Sequence, residues 1–442
     1  MRGRLDRGEV LALLAVLGAL VIVVVPDLGS QPWPFQPGRV EPRGILGPFV
    51  RAAGREWDLG VPRGAALLAG LLVALAALAV WRARSWPRWA AAAITAAVVA
   101  LLCAPAALQA AGLRDATEPW KFTNDSTYQI EIAGDLVLDG HTPYGHDYRG
   151  SGLERFYPAA GFEGSPDRQV ALSHFAYFPG TPLTAAAWRL LPRPLDDYRL
   201  FVLLMTFAAA AFVLLLPAPF VWRLAGAAAV AANPLAVRAP WFGTADMPSI
   251  ALLILAFALV LRRRPLAGAA ALGGALLLKQ FALAAVPFLL VLLVVRGVPM
   301  RRLWQAVAVF LAVVAAGFLP FLLADASGLW DDTVAYGTGT YRIIGYGLAG
   351  LLVGADVVER DGDYPFVLLA LVFWVPATAW LLLGVVRSRA SWQAAGGLAI
   401  SLFVLLWLSR VLQSSYLLWP LVFLIVAVVL AAGERFARST SA

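Results

Sequence analysis

The chain has 442 residues, of which 61% are apolar and only 14% charged, a balance that excludes a water-soluble globular domain, where about a quarter of residues carry charge. Its net charge of +8 does not point to nucleic acid, because the arginines gather at the ends of apolar runs, where membrane orientation signals belong. An integral membrane protein is what remains.

The first apolar run, 10–25, follows Arg2, Arg4 and Arg7. No small-x-small cleavage site comes after Val25, so it is expected to be an uncleaved first span. Runs at 65–81, 90–108 and 200–216 approach or exceed the roughly 18 apolar residues of a spanning helix, and none alternates as a strand would. The single cysteine, Cys103, lies inside one of these runs, which excludes an internal disulfide or a cysteine metal cluster. Arginines then mark every second junction: Arg82, Arg84 and Arg88; Arg223; Arg262, Arg263 and Arg264; Arg296, Arg301 and Arg302; Arg387 and Arg389; Arg435 and Arg438. This register predicts an all-α polytopic membrane protein of about twelve transmembrane helices, with both termini cytoplasmic and the other junctions external.

The largest external stretch, 114–196, holds all three histidines, His141, His146 and His174. Ser126 and Gln129 are spaced as a capping box, which predicts a helix starting there with Asp125 just ahead of its first turn. Tyr128, Ile132 and Leu136 would share one face and Glu131 and Asp135 another, an amphipathic helix lying along the membrane surface and ended by Gly140. Beyond it, 141–144 reads as an extended turn. The aromatics Tyr144, Phe156, Tyr157, Phe175, Tyr177 and Phe178 suit stacking on sugar faces or an interfacial belt. Spacing among the histidines matches no standard ligand set, and no metal is expected.

Further along, 219–237 is broken by Asn233-Pro234, so its outer end is expected to unwind. The segment 266–295 is too long for one span and is interrupted by Lys279-Gln280, which predicts two short helices meeting near the outer surface. Lys279 is one of only two lysines in the chain. An ammonium at that depth costs about 2.5–3.5 kcal/mol or more unless it faces a polar cavity or an anion such as a lipid phosphate, the alternative being a side chain that snorkels to the interface. Arg238, Arg342 and Arg410 also fall near outer span ends, where a guanidinium can hold a phosphate bidentately or pair with Asp246, Asp325 or Asp331. Two smaller external stretches, 27–63 and 325–364, could cover the site, and the apolar piece 343–358 reads as re-entrant.

Asp125-x-x-Tyr128, the helix after it, and Gly140-x-x-Pro143-Tyr144 resemble the first large loop of polyprenol-phosphate-mannose-dependent mannosyltransferases, members of the class C (GT-C) integral membrane glycosyltransferases. Tyr177-Phe178-Pro179, Asn233-Pro234, Gly243-Thr244-Ala245-Asp246, Gly268 and Lys279 continue the likeness, which covers roughly 90–287; the C-terminal third matches by hydropathy alone. The resemblance implies a catalytic module at 89–324, a C-terminal membrane module at 325–442 with its external segment 325–363, and a two-span extension at 1–88 that departs from the family's pattern. It further implies that Asp125 is the catalytic base; Lys279, Arg342, Arg410, Arg238, Tyr128, His141, Tyr144, His174, Tyr177 and Asp246 are expected to bind substrate. The donor it implies is a polyprenyl-phosphate-linked sugar, the acceptor a glycolipid or glycan, the place the extracytoplasmic face of the plasma membrane among membrane lipids, and no cofactor is required. A transporter or lipid-linked sugar flippase would also use broken helices and an intramembrane cation, but the large external segment and the lack of a repeated half favour the enzyme.

Overall fold

The computed structural model describes residues 4–28, 60–83, 85–157, 172–243, 246–340, 343–360, 362 and 364–441. It is mostly helical, as the long Ala, Leu and Val runs require. Most of the stretch 27–63 and all of Arg342, Tyr341, Thr244 and Ala245 lie outside the described residues. The chain divides into two compact units, Met1–Thr127 with Leu191–Met247 and Ala432–Ala442, and Tyr128–Leu190 with Pro248–Ala431.

Unit one opens with a short strand β1 (Arg4–Asp6) and α1 (Arg7–Asp27). Asp6 accepts from the Glu9 backbone N–H at 2.8 Å while the Glu9 carboxylate accepts from the Asp6 N–H at 3.1 Å, a reciprocal cap that starts the helix abruptly. α2 (Gly60–Arg82) and α3 (Arg88–Asp115) follow, joined by β2 (Ser85–Pro87), which pairs antiparallel with β1. Arg4 donates to Ser85 Oγ at 2.7 Å and Arg7 to the Trp81 carbonyl at 2.9 Å. The N-terminus and the α2–α3 junction therefore share one end of the unit, as their arginines predicted.

α6 (Tyr198–Val213), α7 (Phe220–Ala232) and α8 (Pro234–Phe242) complete this unit, numbering α4 (Asp125–Leu138) and α5 (Gly180–Arg189) before them in the chain. The outer end of α7 does not unwind. Asn233 donates to the Ala229 and Val230 carbonyls at 2.9 and 3.0 Å, and its Oδ1 accepts from the Ala236 N–H at 2.9 Å. One side chain thus closes α7 and caps α8, with Pro234 in the first turn where its missing N–H costs nothing. The two helices meet at 55°.

Unit two contains most of α4, all of α5 and most of α9 (Asp246–Leu261). α10 (Pro265–Leu278) and α11 (Ala285–Val295) are separated by an extended Lys279 (φ −154°, ψ 130°) and a 3-10 turn, Gln280–Ala284. α12 (Met300–Trp330) is kinked at Asp325 (φ −157°, ψ 92°) and runs into a π-helical segment, Asp331–Thr340. The short α13 (Leu348–Gly354) gathers a small cluster of Ile343, Ala349 and Phe366. α14 (Phe366–Ser388) and α15 (Ser391–Trp407) join through Trp374 Nε1, which donates to Ser401 Oγ at 2.8 Å, and α16 (Leu418–Ser441) closes the chain.

Among the described residues six helices are long and apolar enough to cross a membrane, or seven if the bent pair α7–α8 is one span. The chain is a multi-pass membrane protein by these criteria. Five further apolar helices (Tyr198–Val213, Asp246–Leu261, Pro265–Leu278, Gln280–Val295 and Ser391–Trp407) have 10–17 residues, and arginine spacing registers their ends as it does those of the longer ones.

Candidate active site

The N-terminus of α4 is capped differently from the sequence expectation. Asn124, not Ser126, supplies the cap, its Oδ1 accepting from the Thr127 N–H at 2.8 Å. Asp125 is consequently the first helical residue, half-buried, and its Oδ1 accepts from the Ser126 N–H at 2.8 Å. Gln129, required for the expected capping box, instead donates from Nε2 to the His174 carbonyl at 2.8 Å. Asn is at least as good a cap as Ser, so a helix preceded by both starts at the earlier one.

The connector that leads into Asp125 is held within unit one by a buried ion network. Asp197 accepts from Arg199 at 2.8 and 2.5 Å and from Arg114, in the last turn of α3, at 3.4 Å. Arg199 also donates to the Phe122 carbonyl, fixing a non-glycine residue at φ 54°. Burial alone would push the Asp197 carboxyl up; the guanidiniums of Arg199 and Arg114 override it and hold the group well below the usual carboxylate range. Gly243 ends α8 at φ 65°, where an added Cβ would run into Thr127 and Arg199. Arg238 on α8 and the buried Asp246, which opens α9, belong to this unit as well.

α4 is largely covered by the rest of the chain. Glu131, expected on its polar face, is only 3% exposed, and Gly134 lies so near α5 that a Cβ there would come within 2.8 Å of the Ala186 nitrogen. A one-sided hydrophobic pattern cannot reveal packing of this kind, which uses a glycine's lack of side chain. Asp135 accepts from Arg189 at 2.9 Å. The helix ends as expected at Gly140 (φ 78°), with the His141 N–H bonded to the Leu136 carbonyl at 2.8 Å and the Gly140 N–H to that of Val137 at 3.1 Å.

The following loop folds back onto residues 172–178 and onto the end of α12. Tyr144 donates to the Tyr177 carbonyl at 2.8 Å and meets Phe175 and Phe321 edge-on. Tyr148 donates to the Pro143 carbonyl at 2.8 Å. Burial, reinforced by Asp332, pushes both phenols well above their ordinary value, so they act as fixed donors. The Gly145 N–H donates to Asp332 Oδ2 at 2.9 Å, and His174 Nδ1 lies 2.6 Å from Asp332 Oδ1. Asp332 is 1% exposed, and it was missed in the sequence because its partners are remote along the chain. Tyr128 donates to the Ser151 carbonyl at 2.9 Å. His141 is exposed, and His146 packs edge-on against Tyr148. Among the described residues no three His, Cys, Asp or Glu side chains gather into a metal set.

Lys279 sits where α10 breaks, 6% exposed. Its ammonium lies 5.0, 5.7 and 5.4 Å from the ring centroids of Tyr177, Phe281 and Tyr416. Three aromatic faces and the carbonyl end of α10 all favour a cation at this point. The break is completed from elsewhere in the unit: Thr181 donates to the Leu278 carbonyl at 2.9 Å and Ser249 to that of Ala275 at 2.7 Å. Gly180 approaches so closely that a Cβ would lie 2.7 Å from the Leu277 carbonyl oxygen. Arg410 is also buried, but it donates to the Gly362 carbonyl at 2.8 Å and so ties down the segment around α13. The structure thus joins Tyr144, Tyr177 and Lys279 in one run of contacts, in which Tyr144 holds the Tyr177 backbone and the Tyr177 ring meets the Lys279 ammonium, while His174 meets Asp332, which the Gly145 N–H also holds.

No protein-family model matches the sequence, and no curated protein matches it. Among solved structures, the chain is similar to ArnT from Cupriavidus metallidurans, crystallised bound to undecaprenyl phosphate, with 19% identity and a TM-score of 0.43 over 71% of this chain. The match spans 56% of the ArnT chain.

Proposed function

We propose that this chain is a GT-C-like glycosyltransferase of the plasma membrane, acting on the extracytoplasmic face. It moves one sugar, mannose, from a polyprenyl phosphate to a hydroxyl of a glycolipid or glycan. The observation that carries the reading is Lys279: a buried ammonium at a helix break, ringed by Tyr177, Phe281 and Tyr416, supports a role in meeting the anionic group of a lipid.

In this reading Asp125 accepts the proton of the acceptor hydroxyl as the hydroxyl oxygen bonds to the anomeric carbon. The bond from that carbon to the phosphate oxygen breaks, and the departing phosphate carries its own negative charge to Lys279. Phosphate leaves without a general acid, so a single base suffices and one displacement inverts the sugar. Asn124 already caps α4, which leaves the Asp125 carboxylate a role other than starting the helix.

Purified protein incubated with radiolabelled polyprenyl-phosphate-mannose and a membrane glycolipid fraction should release polyprenyl phosphate and label the glycolipid. Passage of intact donor across a vesicle membrane without release would instead identify a flippase. Asp125→Asn keeps the volume and the hydrogen bond to Ser126 but cannot take a proton, so turnover should fall by roughly 10²–10⁴ with donor binding retained. Turnover within a few-fold of wild type would move the base elsewhere.

A further inference from the structure

Building on that reading, we propose that His174, oriented by Asp332, forms the sugar subsite: its Nε2 accepts a hydrogen bond from a hydroxyl of the hexose whose phosphate lies at Lys279. The ligand is a hexosyl phosphate, held by a cation at one end and an imidazole at the other.

The ring is fixed on three sides. Asp332 faces Nδ1 at 2.6 Å, Tyr336 stacks on it with centroids 4.9 Å apart and planes at 22°, and Gln129 holds the His174 backbone carbonyl at 2.8 Å. A carboxylate accepts, so Nδ1 is the donor, and the tautomer the proposal requires carries its lone pair on Nε2. Asp332 is itself anchored by the Gly145 N–H. The His174 side chain nevertheless remains a quarter exposed, which leaves room for a ligand beside an otherwise clamped ring.

Distance couples this ring to the phosphate position. His174 and Tyr177 are three residues apart, so their Cα atoms lie at most about 11 Å from each other, and the Tyr177 ring touches the Lys279 ammonium. An imidazole acceptor on the segment that also carries the ring beside the cation suits a phosphate ester of a polyol. Sugar hydroxyls are donors as well as acceptors, and a site of fixed acceptors selects among epimers by which hydroxyl can reach it.

Two measurements test this. The chain has three histidines, so full-length protein labelled with ¹⁵N-histidine in nanodiscs gives three rings, assigned with His141→Gln and His146→Gln. His174 should show a protonated Nδ1 and an unprotonated Nε2 at neutral pH, and Asp332→Asn should shift it toward the Nε2–H form. An Nε2–H or doubly protonated ring in the wild type overturns the proposal. In turnover of polyprenyl-phosphate-mannose, His174→Ala should raise KM about tenfold, the worth of one hydrogen bond, with kcat changed less. An unchanged KM, with the wild type active and Lys279→Met inactive, refutes the subsite and leaves the transferase standing. A wild type that neither turns over the donor nor binds polyprenyl phosphate removes the transferase reading and the subsite with it.

Discussion

Two helix breaks, one in each unit, solve the same problem in opposite ways. At Asn233 the freed backbone groups are satisfied locally, by one carboxamide and a proline, and the chain continues as a second helix. At Lys279 the backbone is extended, the freed carbonyls take hydroxyls from Thr181 and Ser249, and the side chain at the break is a cation among three rings. A joint that needs nothing beyond its own turn is a bend in the scaffold. One that recruits partners from two other helices holds a charge where lipid would not tolerate it, the arrangement the proposed phosphate site calls for.

Substitutions at the two breaks should therefore separate activity from stability. The largest effect is expected at Lys279→Ala, which should remain in the membrane yet lose at least about 10²-fold in transfer, with Lys279→Arg partly active because charge is kept and shape is not. A fully active Lys279→Met would reduce this break to another bend. Thr181→Val preserves shape but removes the donor to Leu278, and should lower unfolding stability in detergent by about 1–3 kcal/mol and reduce donor affinity in parallel. Asn233→Ala removes a cap worth about 0.5–2 kcal/mol; its thermal midpoint should fall while turnover per folded molecule stays unchanged. Ser249→Ala should do least, about 0.5–1.5 kcal/mol, since the Ala275 carbonyl also accepts from the Lys279 N–H at 3.1 Å.

Both breaks were legible in the sequence because each interrupts an apolar run with a residue that cannot be ignored, a proline after asparagine in one and a lysine in the other. The stop at Gly140 was legible for the same reason. What lay hidden was pairing over distance. Asp332 reaches His174 across 158 residues, and the Arg114–Asp197 pair spans 83; nothing local announces either. The cap of α4 was misplaced because three capping residues, Asn124, Asp125 and Ser126, stand in succession, and only the tertiary engagement of Gln129 separates them. Hydropathy and arginine spacing detect where helices stop, not whether each is as long as the bilayer is thick, and among the described residues five apolar helices are short.

That last point bears on the lipid around the protein. α10 has 14 residues, about 21 Å of helix, against a hydrocarbon layer of about 30 Å. If its Arg264 end rests at one interface, Lys279 lies several ångströms short of the other. Its partner arm, α11, has 11 residues and is shorter still. Wherever lipid touches this hairpin, arms this short would draw the bilayer inward and favour short-chain or disordered lipids. A phosphate descending to Lys279 would then travel down a depression set by the protein's own short helices.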